Sequence, residues 1–110
     1  MEIPRKGRRT ALKRRRDYKT IRACRLPFCE FCGAPANIEP HHIFTVGAGG
    51  RDIRENLIQL CTRCHILFHN GDIPRDVLLG IVADREHHSV DYIYAFNRRA
   101  MGYNVELPEE

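Results

Sequence analysis

The chain has 110 residues, eighteen Lys or Arg against fourteen Asp or Glu, and a formal net charge of +4. That length suits one domain with a modest core, of the kind that often leans on a metal or disulfide to stay folded. It contains neither an apolar stretch of membrane-spanning length nor the h-region of a signal peptide, which predicts a cytoplasmic protein without a membrane partner.

A basic segment comes first. Eleven Lys or Arg stand against Glu2 and Asp17 in residues 1–25, so this stretch carries +9 and the remainder −5. Residues 8–23 are rich in helix formers, with Leu12, Ile21 and Ala23 as sparse apolar points. They predict a basic, weakly amphipathic helix that orders on a polyanion such as DNA. Arg14, Arg15 and Arg16 are its candidate phosphate contacts, because each cation that neutralises a phosphate releases a counterion. Such an arm supplies affinity more than sequence preference.

Pro27 ends that pattern and opens a domain expected over residues 26–105. Cys29-Glu30-Phe31-Cys32-Gly33 predicts a tight knuckle, with Gly33 permitting the turn. Residues 37–44 are short, β-prone and carry the pair His41-His42; residues 45–52, with Gly47, Gly49 and Gly50, predict a flexible loop. Asn56 to Leu60 returns as a second strand, and residues 62–70 form a helix stopped by Asn70-Gly71. The result is a β-β-α unit over residues 38–70. Pro74 then opens a helix bearing Val77, Leu78, Ile81 and Val82, and Ser89 caps another that runs to Arg99. Residues 106–110 are an acidic tail, expected to be disordered.

Cys29-x2-Cys32 and Cys61-x2-Cys64 are separated by twenty-eight residues. Two such units grip one tetrahedral ion, and four thiolates leave no position for substrate, so the spacing predicts a structural Zn2+ site. In a reducing cytoplasm five cysteines favour metal over disulfides, and five cannot all pair within one chain. Cys24, the fifth, is expected as a free thiol. His41 and His42, adjacent on a strand, point to opposite sides and should not share one role. His65 and His69, at i and i+4, stack on one helical face, a spacing suited to two ligands of one ion. His87-His88 is expected as a surface pair, and Arg51, Arg54 and Arg63 flank the motif as further candidate phosphate contacts.

The run Cys29-x2-Cys32, His41-His42-Ile43, Gly49-Gly50, Glu55-Asn56-Leu57 and Leu60-Cys61-x2-Cys64-His65-x3-His69 resembles the HNH endonuclease family over about forty residues. The resemblance implies an α+β fold: a small ββα-metal core stapled by the four-cysteine zinc site, with flanking helices. It implies that His42 is the general base activating water and that Asn56 holds the loop orienting it. It also implies that His41, His65 and His69 bind a catalytic divalent metal. Three imidazoles favour Zn2+, Ni2+ or Mn2+, whereas Mg2+ prefers oxygen and would suit an Asp where His41 stands. The implied activity is cleavage or nicking of DNA to 5′-phosphate and 3′-hydroxyl ends, with no small-molecule cofactor. Two other readings stand beside it: a non-catalytic zinc module that binds nucleic acid, and an accessory subunit of a DNA-packaging complex. Small stand-alone HNH proteins are often carried by phages, which makes a terminase-like partner, and a phage-infected host cell, an implication of the resemblance.

Overall fold

The structure, a computed structural model, describes residues 16–110. Arg14, Arg15 and the first half of the helix expected over residues 8–23 lie outside the described residues. Within them, helix α1 (Tyr18–Ala23) starts at Asp17, whose carboxylate caps it by accepting from the Thr20 amide at 3.0 Å and hydroxyl at 2.7 Å.

The knuckle follows. Gly33, at φ +82°, turns the chain so that its amide reaches the Cys29 carbonyl at 2.9 Å, while the Cys29 amide donates to Ala34. Strands β1 (Ile38–His42) and β2 (Leu57–Cys61) pair antiparallel, with Ile38 opposite Cys61, Pro40 opposite Gln59 and His42 opposite Leu57. Every residue of β2 is buried, so it has no solvent face and reads as a run rather than an alternation.

Helix α2 (Thr62–His69) leaves β2 without a loop and ends at Asn70, followed by Gly71 at φ +85°. Helix α3 (Arg75–Glu86) starts after Pro74, and helix α4 (Val90–Ala100) is capped by the Ser89 hydroxyl, which accepts from the Tyr92 amide at 3.1 Å. The α+β architecture is therefore a two-stranded sheet with four helices among the described residues. Ile43, Phe44, Ile58, Leu60, Ile73, Leu78, Leu79, Val82 and Ile93 form one buried core joining the ββα unit to α3 and α4.

Polar ties fix the parts around that core. The Arg85 guanidinium on α3 donates to Glu30 in the knuckle at 2.9 Å, to the Leu57 carbonyl at 3.2 Å and to the Arg54 carbonyl at 2.6 Å. Asn97 on α4 donates to the Glu55 carbonyl at 2.8 Å. Near the end of the tail, Glu110 accepts from the Ser89 amide at 2.7 Å and meets His88 Nδ1 at 2.8 Å.

The connection between β1 and β2 differs from the flexible loop expected of its glycines. It contains two 3-10 turns, Val46–Ala48 and Arg54–Asn56. Gly50 lies so close to Phe44 that a Cβ there would stand 1.8 Å from the Phe44 carbonyl oxygen. Glycine is needed here for close approach of two backbones, and the loop is packed.

Candidate active site and metal centre

The four knuckle cysteines come together because β1, β2 and α2 converge at one end of the sheet. Cys29 and Cys32 sit on the turn, Cys61 ends β2 and Cys64 lies in the first turn of α2. Their sulfurs all lie within 4.8 Å of one another, and none is in a disulfide. A tetrahedral zinc with Zn–S of about 2.3 Å has sulfur–sulfur edges of roughly 3.8 Å; Cys32 and Cys61 Sγ are 3.7 Å apart. The donor set and its spacing thus fit a structural zinc ion.

Their acidities point the same way. Burial pushes the Cys29 thiol up, but amides of Cys32, Cys61 and Phe31 outweigh it and bring the group down to about 6. The Cys64 thiol is driven up by burial and by its three sulfur neighbours. Four thiolates cannot share this volume without a cation, so ionisation of the last thiols and metal binding are one event. Cys24 stands apart, buried, with the Arg54 guanidinium 3.5 Å from its sulfur.

At the far end of β1 the paired histidines diverge. The His41 ring lies against that of His65, centroids 3.7 Å apart, and His65 lies against His69 at 4.4 Å. One strand residue and two positions a helical turn apart on α2 therefore form a contiguous row of imidazoles. Burial, then the neighbouring His65 and His69, hold the His41 imidazole down to about 4, and burial also lowers His65. Neutral imidazoles are the form that ligates a metal. The rings are tilted against one another, by 33° and 59°; among the described residues it is the four thiols whose ligand atoms all lie within 4.8 Å of one another.

His42 takes the other side of the strand, where its Nε2 lies 2.7 Å from Asp52 Oδ1. The Asp52 side chain is almost fully enclosed, 1% exposed, and its Oδ2 accepts from Arg16 Nε at 2.9 Å and from the Asp17 amide at 2.8 Å. Burial raises this carboxyl, but the bonds from Arg16, Asp17 and His42 prevail and keep it ionised well below the usual carboxylate range.

Asn56, fully buried, closes the loop that carries Asp52. Its Oδ1 accepts from the Phe44 amide at 2.7 Å, and its Nδ2 donates to the carbonyls of Phe44 and Arg51, each at 3.0 Å. The Ile43 amide donates to the Asn56 carbonyl at 3.0 Å. The residue after His42 and the residue before Asp52 are thus tied to one side chain or its backbone.

The flanking arginines are less uniform. Arg51 Nε donates to the Ala100 carbonyl at 2.9 Å, and Arg54 pairs with Glu86 at 3.2 Å. Arg63 lines a shallow apolar cavity of about 650 Å³ with Ile66, Leu67 and Ala34, beside the cysteine knuckle. Arg16 reaches the site directly, through Asp52. Asp52 itself was not among the residues expected from the sequence; the available signal was a lone carboxylate between the glycine run and Ile53.

Among the described residues, no helix is long and apolar enough to cross a membrane. A family model described as HNH endonuclease matches residues 29–71, from the first knuckle cysteine to the glycine that follows α2. No curated protein and no solved structure matches the chain.

Proposed function

The chain carries an HNH-family segment at residues 29–71, and from that premise we propose that the protein is a divalent-metal-dependent DNA endonuclease or nickase. The observation that carries the reading is the division at the end of β1. His41 joins the imidazole row with His65 and His69, while His42 is held on the other side by a buried carboxylate.

His41, His65 and His69 would hold the catalytic ion, and that ion supplies charge stabilisation to the phosphate and to the departing oxygen. His42 accepts a proton from water as the water oxygen bonds to phosphorus. The bond from phosphorus to the 3′ oxygen breaks and that oxygen takes a proton from solvent, leaving 3′-hydroxyl and 5′-phosphate ends. Asn56 keeps the 44–51 turn closed, so the strand end that bears His42 cannot swing away. Cys29, Cys32, Cys61 and Cys64 would hold a zinc ion that fastens the turn and β2 to the first turn of α2, with no ligand position left for substrate. The basic segment supplies attraction to the duplex.

Plasmid cleavage by the zinc-loaded protein across Mg2+, Mn2+, Ni2+ and Zn2+, with mapped ends, tests this reading. His42→Ala should lower the cleavage rate by about 100-fold or more while leaving DNA binding within a few-fold of wild type. Undiminished cleavage by that variant would refute the assignment. DNA binding without cleavage by the wild type in every metal would favour a non-catalytic zinc module.

A further inference from the structure

Among the described residues, Asp52 is buried, anionic and bonded by His42, by the Asp17 amide and by Arg16, whose Nη2 also reaches Oδ1 at 3.5 Å. A carboxylate has no hydrogen to donate, so the 2.7 Å contact with His42 requires the imidazole to carry its proton on Nε2. A neutral His42 in that form has its lone pair on Nδ1. The opposite oxygen, Oδ2, faces two donors, Arg16 Nε at 2.9 Å and the Asp17 amide at 2.8 Å. Both belong to the stretch immediately before α1, some thirty-five positions from Asp52 in sequence. The Arg16 side chain remains 39% exposed, so the same guanidinium that fixes Asp52 also faces solvent.

We propose that Asp52 is a positioning residue for His42, fixing neutral imidazole as the Nε2–H form with Nδ1 as the proton acceptor, and that Arg16 and the Asp17 amide hold Asp52 in place. Arg16 and Asp17 thereby complete the site. This rests on the reading of His42 as the base.

The geometry sets a demanding test. In Asp52→Asn the two donors at Oδ2 draw the amide oxygen toward themselves, which turns the amide NH2 toward His42 Nε2. His42 must then accept at Nε2 and carry its proton on Nδ1, where it can no longer take one from water. The known consequence of such tautomer inversion in a serine-protease triad is a rate loss of about 10⁴-fold.

The measurement is long-range 1H–15N correlation of histidine-labelled, zinc-loaded full-length protein at about pH 8, where ordinary histidines are neutral, combined with cleavage kinetics. Wild type should show His42 as Nε2–H, and Asp52→Asn should show Nδ1–H. Asp52→Asn should lose at least about 100-fold in kcat with KM for DNA changed less than about threefold. Arg16→Ala should lose about tenfold in kcat and mix the two tautomers, with partial recovery in Arg16→Lys. An unchanged tautomer in Asp52→Asn, or a variant that melts at lower temperature yet keeps wild-type kcat, would overturn the proposal. A wild type that fails to cleave DNA in every metal overturns the nuclease reading instead, and the tautomer spectra then decide the Asp52 contact by themselves.

Discussion

Asn56 satisfies the buried Phe44 amide and carbonyl and the partly buried Arg51 carbonyl, so its replacement is costlier than its size suggests. Asn56→Ala should destabilise the fold by about 3 kcal/mol in denaturant unfolding, because it strands buried polar groups as well as removing bonds. Gly50→Ala should cost more than about 2 kcal/mol, since its Cβ would collide with the Phe44 carbonyl. Gly47→Ala, with no atom within 4 Å of the added carbon, is the matched control and should be near neutral. With zinc in the cysteine site and no ion at the histidines, His41 gives the protein a pH dependence. Its folded-state value of about 4 lies below the ordinary 6.5, so between those values the unfolded chain binds a proton that the folded one refuses. The stability it contributes is present above about pH 6.5 and declines as pH falls toward about 4. Melting temperature against pH should slope upward through that window, and His41→Gln should flatten it.

At the scale of elements, the knuckle is the joint between turn, strand and helix, and removing its ion should undo more than one of them. Chelation of zinc, or Cys64→Ser, should abolish the cooperative melt of the β1-β2-α2 unit and collapse its amide dispersion in NMR spectra. The paired strands, α2, and the helices opened by Pro74 and Ser89 were legible because each carries a local signal: a spacing of cysteines, a cap, or a helical period. The opposite faces of His41 and His42 followed from strand alternation alone, and the i, i+4 spacing was enough to bring His65 and His69 together. Asp52 was not legible. Its meeting with His42 depends on the path of the whole 43–56 connection, which is set by Asn56 and by the close approach at Gly50. The glycines there suggested freedom because composition cannot distinguish a glycine that permits motion from one that permits contact. Arg54 shows the same limit, since its partner Glu86 comes from α3 and has no local mark in the sequence.

For the whole molecule, the basic segment has two parts with different duties. Residues 1–15 contain seven Lys or Arg, whereas Arg16 and Asp17 are docked on Asp52. Removing residues 1–15 should weaken DNA binding and reduce the salt slope by at most about 6, at roughly 0.9 per neutralised phosphate. Extending the deletion through Arg16 and Asp17 should further lower kcat by releasing Asp52. A fluorescence titration at several salt concentrations reads the binding loss, and cleavage kinetics at saturating DNA read the loss of kcat. Helix α2 is shared in another sense. Within eight residues it bears Cys64, on the zinc side, and both His65 and His69, on the imidazole row. Two ions gripping one short rigid rod are thermodynamically reciprocal: whatever zinc does for affinity at the histidines, an ion at the histidines does equally for retention of zinc. On the proposed reading of the histidine row as a metal site, metal occupancy is then a linked equilibrium, with any coupling felt equally at both sites.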